Sequence, residues 1–293
     1  MDRLEEVRIA IAENTVPGGS AFGRAAAEVI ILTLQAQKPS DAATLRAVLS
    51  ETTNWLIATK PSMTSVRTVS DIAWSRVDDG AESVISAMAE FIAESEQAIK
   101  LIAAHAGDVI APGNTVLFHS FSGSLINVLR RAGQSTPELT FAFTESRPYR
   151  ESRRVVTALS DLPVEFVGYS DAAVGVAASR ADLAIVGADA LFADGSFANK
   201  TGTLPLALAC RHYGVPLYVV SEVSKLYEGD PADVAMEQRP SEEMHEGWEM
   251  AVSGRVHITN QFFEVTPADL VTAYLTDKGR LAPSELAHAT IGG

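Results

Sequence analysis

The chain changes texture once, near Asn114, and that change limits the folds open to it. Upstream, apolar residues recur at helical spacing: Ala21, Ala25, Val29 and Leu32 within 20–37, Leu45, Leu49 and Leu56 within 40–59, and Met88, Phe91, Ile92, Ile99 and Ile102 within 81–105. Residues three or four apart share a helix face, so each stretch predicts an amphipathic helix. Another is predicted over 62–77, where the pattern resumes after Pro61. Downstream, apolar runs at 115–118, 139–143, 164–167, 183–186 and 215–220 read as strands. Helices are predicted between them at 125–131 and 150–159, in an Ala-rich stretch after 167, and from near Gly202; a last helix is predicted over 268–276 and an edge strand over 256–258. Strand–helix alternation of this kind builds a mostly parallel sheet with helices on both faces. The expectation is therefore a helical domain over 1–108 and a doubly wound α/β domain over 109–293, with 227–248 a surface loop or mobile insertion.

Ligands of open parallel sheets sit beyond the carboxyl ends of the strands. Here those ends carry His119-Ser120, Glu145-Ser146-Arg147, Tyr169-Ser170-Asp171, Asp189, and Ser221-Glu222 with Lys225. The fourth end is the most specific. Its buried run stops near Asp189, a short loop with Asp194-Gly195 follows, and Asn199-Lys200-Thr201-Gly202-Thr203 leads into a helix. A helix start offers free N–H groups and partial positive charge, and Lys200 adds a full one, so the segment suits a phosphate held beside a carboxylate. It also suits a plainly capped helix. Ser122-Gly123-Ser124 has the same two readings, a second phosphate contact or a cap. Arg147 has the planar fork that grips phosphate, or pairs with Glu145. His119 also has two readings: a proton carrier titrating near neutrality, or a residue that, one position from Ser120, points to the other side of the strand and packs or hydrogen-bonds internally.

A formal net charge of −14 argues against direct nucleic-acid binding, although Arg147, Arg150, Arg153 and Arg154 form a local reversal suited to a small anion. The chain has no uninterrupted apolar run of membrane-spanning length, and its charged start lacks the apolar core of a signal peptide. Cys210 is the only cysteine, which excludes an internal disulfide framework and makes a reducing cytoplasm the default. The histidines show no metal-ligand spacing, so neither metal nor cofactor is expected.

Taken in order, Gly187-Ala188-Asp189, Asp194-Gly195 and Asn199-Lys200-Thr201-Gly202-Thr203 resemble the signature shared by the alpha, beta and delta subunits of translation initiation factor 2B. Methylthioribose-1-phosphate and ribose-1,5-bisphosphate isomerases carry the same signature. Glu145-Ser146-Arg147-Pro148 with Arg154, Ser221-Glu222 with Lys225, and Asn260 with 263–267 agree with it, and the resemblance runs from about Gly18 to Gly279. It implies a helical domain joined to a Rossmann-like one, a ligand between them, and a homodimer formed through the C-terminal domain. In the resembling isomerases a turn like Gly18-Gly19-Ser20 faces the ligand, and a segment like Lys60-Pro61-Ser62 begins with arginine. Their first strand ends in His-Cys, and that cysteine works with the aspartate matching Asp189; here the position is Ser120. A tuned thiol moves protons near neutral pH, whereas a serine hydroxyl is far too weak an acid. The resemblance therefore implies a protein that binds a phosphorylated sugar or nucleotide without the cysteine mechanism. The alternative is an aldose-1-phosphate or ribose-1,5-bisphosphate isomerase using Asp189 with His119, Ser120 or a water.

Overall fold

The structure, a computed structural model, describes residues 2–16, 18–245 and 257–289. It opens with helices α1 (Arg3–Ala12), α2 (Gly19–Gln37), α3 (Ala42–Thr59), α4 (Thr64–Ser75) and α5 (Ala81–His105). Local chemistry fixes two of their starts: the Asp2 carboxylate accepts the Glu5 N–H and the Asp41 carboxylate accepts the Thr44 N–H. Helix α2 packs against α1, α3, α4 and α5, and its Phe22, Ala26, Ile30 and Leu34 are buried at three- and four-residue spacing. Helix α1 is an addition to the sequence reading; only Val7 and Ile11 of its ten residues are buried, too thin a stripe to read as periodicity.

The rest of the chain supplies β1 (Thr115–His119), α6 (Gly123–Ser135), β2 (Thr140–Thr144), α7 (Ser152–Ala158), β3 (Glu165–Tyr169), α8 (Val174–Ala178) and β4 (Leu183–Gly187). Then come β5 (Ala190–Phe192), β6 (Phe197–Lys200), α9 (Thr203–Tyr213), β7 (Leu217–Val220), β8 (Leu226–Tyr227), β9 (Gln238–Arg239), β10 (Asn260–Gln261), β11 (Phe263–Thr266), β12 (Ala273–Thr276) and β13 (Gly279–Leu281). The main sheet runs β13-β12-β7-β4-β1-β2-β3, parallel except for the edge strand β13. Alternation along the strands serves two cores. Val116, Phe118, Phe141, Ile185 and Leu275 face one, where α6 and α7 pack; Leu117, Ala142, Val186, Val219 and Tyr274 face the other, with α8 and α9. The chain reverses direction across the sheet between β1 and β4, which are hydrogen-bonded neighbours, so the residues after His119 and Gly187 emerge side by side.

Four expectations require correction. The predicted helix over 268–276 is a single turn, Ala268–Leu270, followed by strand β12 parallel to β7. Tyr274 and Leu275 point into opposite cores, and a short apolar run cannot be assigned to helix or strand from its pattern alone. The loop expected between Asp189 and Lys200 is a β5–β6 hairpin within a second sheet ordered β11-β6-β5-β8, so Lys200 ends a strand. The 227–248 stretch carries β9, which pairs with β10, and a buried Val234; its residues 246–248 lie outside the described part. Of the edge strand expected over 256–258, Val256 lies outside the described residues, and His257 and Ile258 are not in a strand. No helix among the described residues is long and apolar enough to cross a membrane.

Candidate ligand site

A cavity of about 300 Å³ lies where the ends of β1 and β4 meet the helical region. Ser120, Glu151, Asp189 and Lys200 line its polar side. Val16, Phe22, Met63, Phe262 and Phe263 line the apolar side, while Glu13, Asn14, Tyr149 and Arg154 complete the wall. Asp189 comes from the link between β4 and β5, and its N–H donates to the Ala198 carbonyl at 2.8 Å, which holds the turn. Gly19, at the first turn of α2, abuts the same carboxylate: a Cβ there would stand 2.9 Å from Asp189 Oδ1 and 3.3 Å from Lys225 Nζ. Glycine is what lets α2 approach this closely.

Charge is concentrated on the polar side. Burial pushes Asp189 up from 3.8 to about 6, against the opposing pull of Lys225 and Lys200. Burial also lowers Lys200, opposed by Glu151 and Asp189. Lys200 Nζ lies 3.1 Å from Glu151 Oε2, an electrostatic pair rather than a well-directed hydrogen bond, and sits over the Phe262 ring. The Ser120 hydroxyl donates to the same Oε2 at 2.8 Å. Ser120 itself is in the left-handed region at φ 67°, its N–H donating to Ser152 Oγ at 3.0 Å. Lys225 is fully enclosed and its ammonium donates to the Ala188 carbonyl at 2.8 Å, beneath Asp189. A carboxyl that changes charge at about pH 6, beside a buried cation and a second carboxylate, is equipped to give and take protons.

Of the residues singled out from sequence, Ser120, Asp189, Lys200, Gly18 and Arg154 line this cavity. The Arg154 guanidinium stacks over Phe121, 4.2 Å from its centroid, on an exposed stretch of α7. Gly19 and Lys225 back the site, and Ser20 is buried within α2. His119 is turned away from the cavity, which it does not line. Its Nε2–H donates to the Thr201 carbonyl at 3.0 Å, its Nδ1 meets the Thr144 hydroxyl, and burial lowers its pKa, so the neutral ring is fully used.

The expected phosphate loop is occupied from within. Glu264 Oε1 accepts the N–H groups of Gly202 and Leu204 at 2.7 and 2.9 Å, so a carboxylate already caps α9. Asn199 donates to Thr203 Oγ1, and Thr203 donates to the Lys200 carbonyl, so neither side chain faces the cavity as a free donor. Gly202 has φ 109°, and a Cβ there would come 2.6 Å from the His119 ring, which explains the glycine by packing. Ser122 caps α6 by accepting the Leu125 N–H, with Gly123 and Ser124 as the first residues of that helix. Lys60 is buried and donates to Asn14 Oδ1, one step behind the cavity wall. Asp171 fixes the backbone at Arg147 by accepting its N–H at 2.8 Å, and Arg147 is not among the lining residues; Glu145 lies 3.6 Å from Arg150.

Sequence reasoning missed Glu151, Glu13, Asn14 and the aromatic wall. Glu151 stood between the arginines of one cluster, and its reach to Lys200 rests on contacts 49 positions apart in sequence. No group of three or more metal-ligand side chains occurs among the described residues.

Comparison with known proteins gives a consistent picture. The pattern of the Initiation factor 2 subunit family matches residues 15–283. A translation initiation factor eIF-2B subunit 2-like protein of Pyrococcus horikoshii is 28% identical over 283 residues, covering 96% of this chain and 97% of that protein. A methylthioribose-1-phosphate isomerase of Desulfitobacterium hafniense is 30% identical, covering 94% and 86%, and a ribose 1,5-bisphosphate isomerase of Haloferax volcanii is 27% identical, covering 92% and 86%. The crystal structure of the Pyrococcus horikoshii translation initiation factor eIF-2B superposes with a TM-score of 0.84 at 27% identity, over 97% of this chain and 98% of that one. With a helical region, a mostly parallel sheet, and a family pattern spanning nearly its whole length, the chain belongs to the initiation factor 2 subunit family.

Proposed function

We propose that the cavity binds a small phosphorylated sugar or nucleotide, with the phosphate at Arg154 and the hydroxyl-bearing part against Ser120, Glu151 and Asp189. The observation that carries this reading is the exposed Arg154 guanidinium on the rim of a cavity whose floor holds Asp189, Lys200 and Glu151. A planar donor fork meets a phosphate, and paired acceptors meet sugar hydroxyls. The aromatic side formed by Phe22, Phe262 and Phe263 suits the less polar face of such a ligand. Cysteine chemistry has no place in it, because Cys210 is buried inside α9 with its thiol pushed up to about 12. A second reading, aldose–ketose isomerisation of a sugar 1-phosphate without a thiol, is favoured by one observation: Asp189 changes charge at about 6, where a general acid or base works best near neutral pH.

The same proposal includes a cytoplasmic setting, a boundary between two domains at 108/109, and a homodimer, which sedimentation equilibrium tests. The binding test is a thermal-shift screen of phosphorylated sugars and nucleotides, since a ligand of the native state raises the melting temperature. A hit that persists in Arg154→Ala with unchanged affinity refutes the phosphate assignment; the expected loss is roughly ten- to hundredfold.

A further inference from the structure

Two carboxylates and one ammonium share the polar side of the cavity, and only one of the carboxylates was marked by the sequence. Glu151 stands at the position preceding α7, on the wall formed by the segment after β2; Asp189 follows β4; Lys200, which ends β6, is charge-coupled to both. The Ser120 hydroxyl donates its proton to Glu151 Oε2, and Lys200 reaches that same oxygen. Both contacts fall on one oxygen, leaving Oε1 outside them and the carboxylate oriented by two partners. A hydroxyl that spends its proton in this way orients its acceptor and is not itself the group that exchanges protons with a ligand.

Resting on the isomerase reading given above, we infer that Glu151 is the second proton carrier of the cavity, working opposite Asp189 in place of a thiol, with Ser120 as its positioning residue. The reaction balances with these two groups alone. Asp189 gives its proton to the ring oxygen as the bond from that oxygen to C1 breaks. Glu151 takes the proton from C2, and the released pair forms the C1–C2 double bond of an enol phosphate. Glu151 then returns its proton to C1 while the C2 hydroxyl proton passes to Asp189, leaving a carbonyl at C2. C1 is reduced and C2 oxidised, the phosphate stays on C1, and both carboxyl groups finish as they began. Lys200 keeps the two acidic groups compatible at close quarters, because like charges sharing a site would otherwise suppress each other's ionisation. The raised pKa of Asp189 is consistent with its holding the first proton.

The test uses the full chain with two probes, ribose 1,5-bisphosphate and 5-methylthioribose 1-phosphate. Binding is read by thermal shift and product by proton NMR. Glu151→Gln keeps the acceptor for Ser120 and is expected to bind the turned-over probe within about threefold of wild type while losing roughly 10²- to 10⁴-fold in kcat. Glu151→Asp, which keeps a carboxylate, should retain more turnover than Glu151→Gln, and Ser120→Ala should lose less than tenfold. Turnover by Glu151→Gln within threefold of wild type overturns the inference, as does equal loss in the Asp and Gln variants. Wild type that binds a probe without converting it also overturns it while leaving the binding proposal standing; absence of any thermal shift with either probe defeats the sugar-1-phosphate reading on which it rests.

Discussion

Replacing Asp189 by Asn should stabilise the protein, and by an amount that depends on pH. In the unfolded chain this carboxyl titrates near 3.8; in the fold, burial moves it to about 6. Between those values the folded protein holds a proton that the unfolded chain has released, so stability falls as pH rises through the window. Below about 3.8 Asp189 is neutral in both states and costs nothing; above about 6 the full cost is present. A gap of about two units, at about 1.36 kcal/mol each, amounts to about 3 kcal/mol at pH 7.5 and to roughly half a kcal/mol at pH 4. Asn imitates the protonated acid in shape, so Asp189→Asn should gain up to that difference at pH 7.5 and little at pH 4. Urea denaturation of both proteins at the two pH values measures it, with equal m-values required for the comparison. An equal effect at both pH values would refute the reasoning, because Asp189 would then titrate as an ordinary carboxyl. A destabilised variant at pH 7.5 would show that attraction to Lys200 and Lys225 outweighs burial.

Gly19→Ala places a methyl 2.9 Å from Asp189 Oδ1 and 3.3 Å from Lys225 Nζ. It should cost about 1–3 kcal/mol in urea denaturation and weaken the binding of any ligand found in the screen, since α2 must back away from the site. His119→Gln breaks contacts with Thr144 and the Thr201 carbonyl and should cost about 1–3 kcal/mol of stability. It should leave the acid limb of any pH–rate profile in place, because the neutral, enclosed ring does not face the cavity; disappearance of that limb would return His119 to the chemistry.

The sequence carried the architecture because its signals are local or strictly periodic. Helix α5 was legible to the residue, since its apolar positions persist for seven turns and Gly80 precedes it. Strand β12 was not, because the four residues Ala273–Thr276 are too few to show a period, and their identity as a strand depends on pairing with β7 some 55 positions earlier. The site shows the same divide. Asp189 and Ser120 were legible as strand-end residues at a point where the sheet order reverses. Glu264 was not recognised as the group that fills the start of α9, because it reaches Gly202 across the β6–β11 pairing. Local reading takes a glycine-marked helix start as vacant; only the tertiary structure shows the carboxylate already there. Glu151 was hidden for a like reason, its partners lying on other segments.

Helix α5 has a further consequence. Its N-terminal half, with Val84, Met88 and Phe91, lies in the core of the helical bundle, while Ile102 and Ala103 lie in the core beneath β1 and α6. One rigid rod is thus a structural member of both halves of the molecule. Melting either core strips the rod of half its support, and an isolated helix finds little stability in water. The two halves should therefore lose amide-exchange protection together along α5, with its central turns among the slowest to exchange.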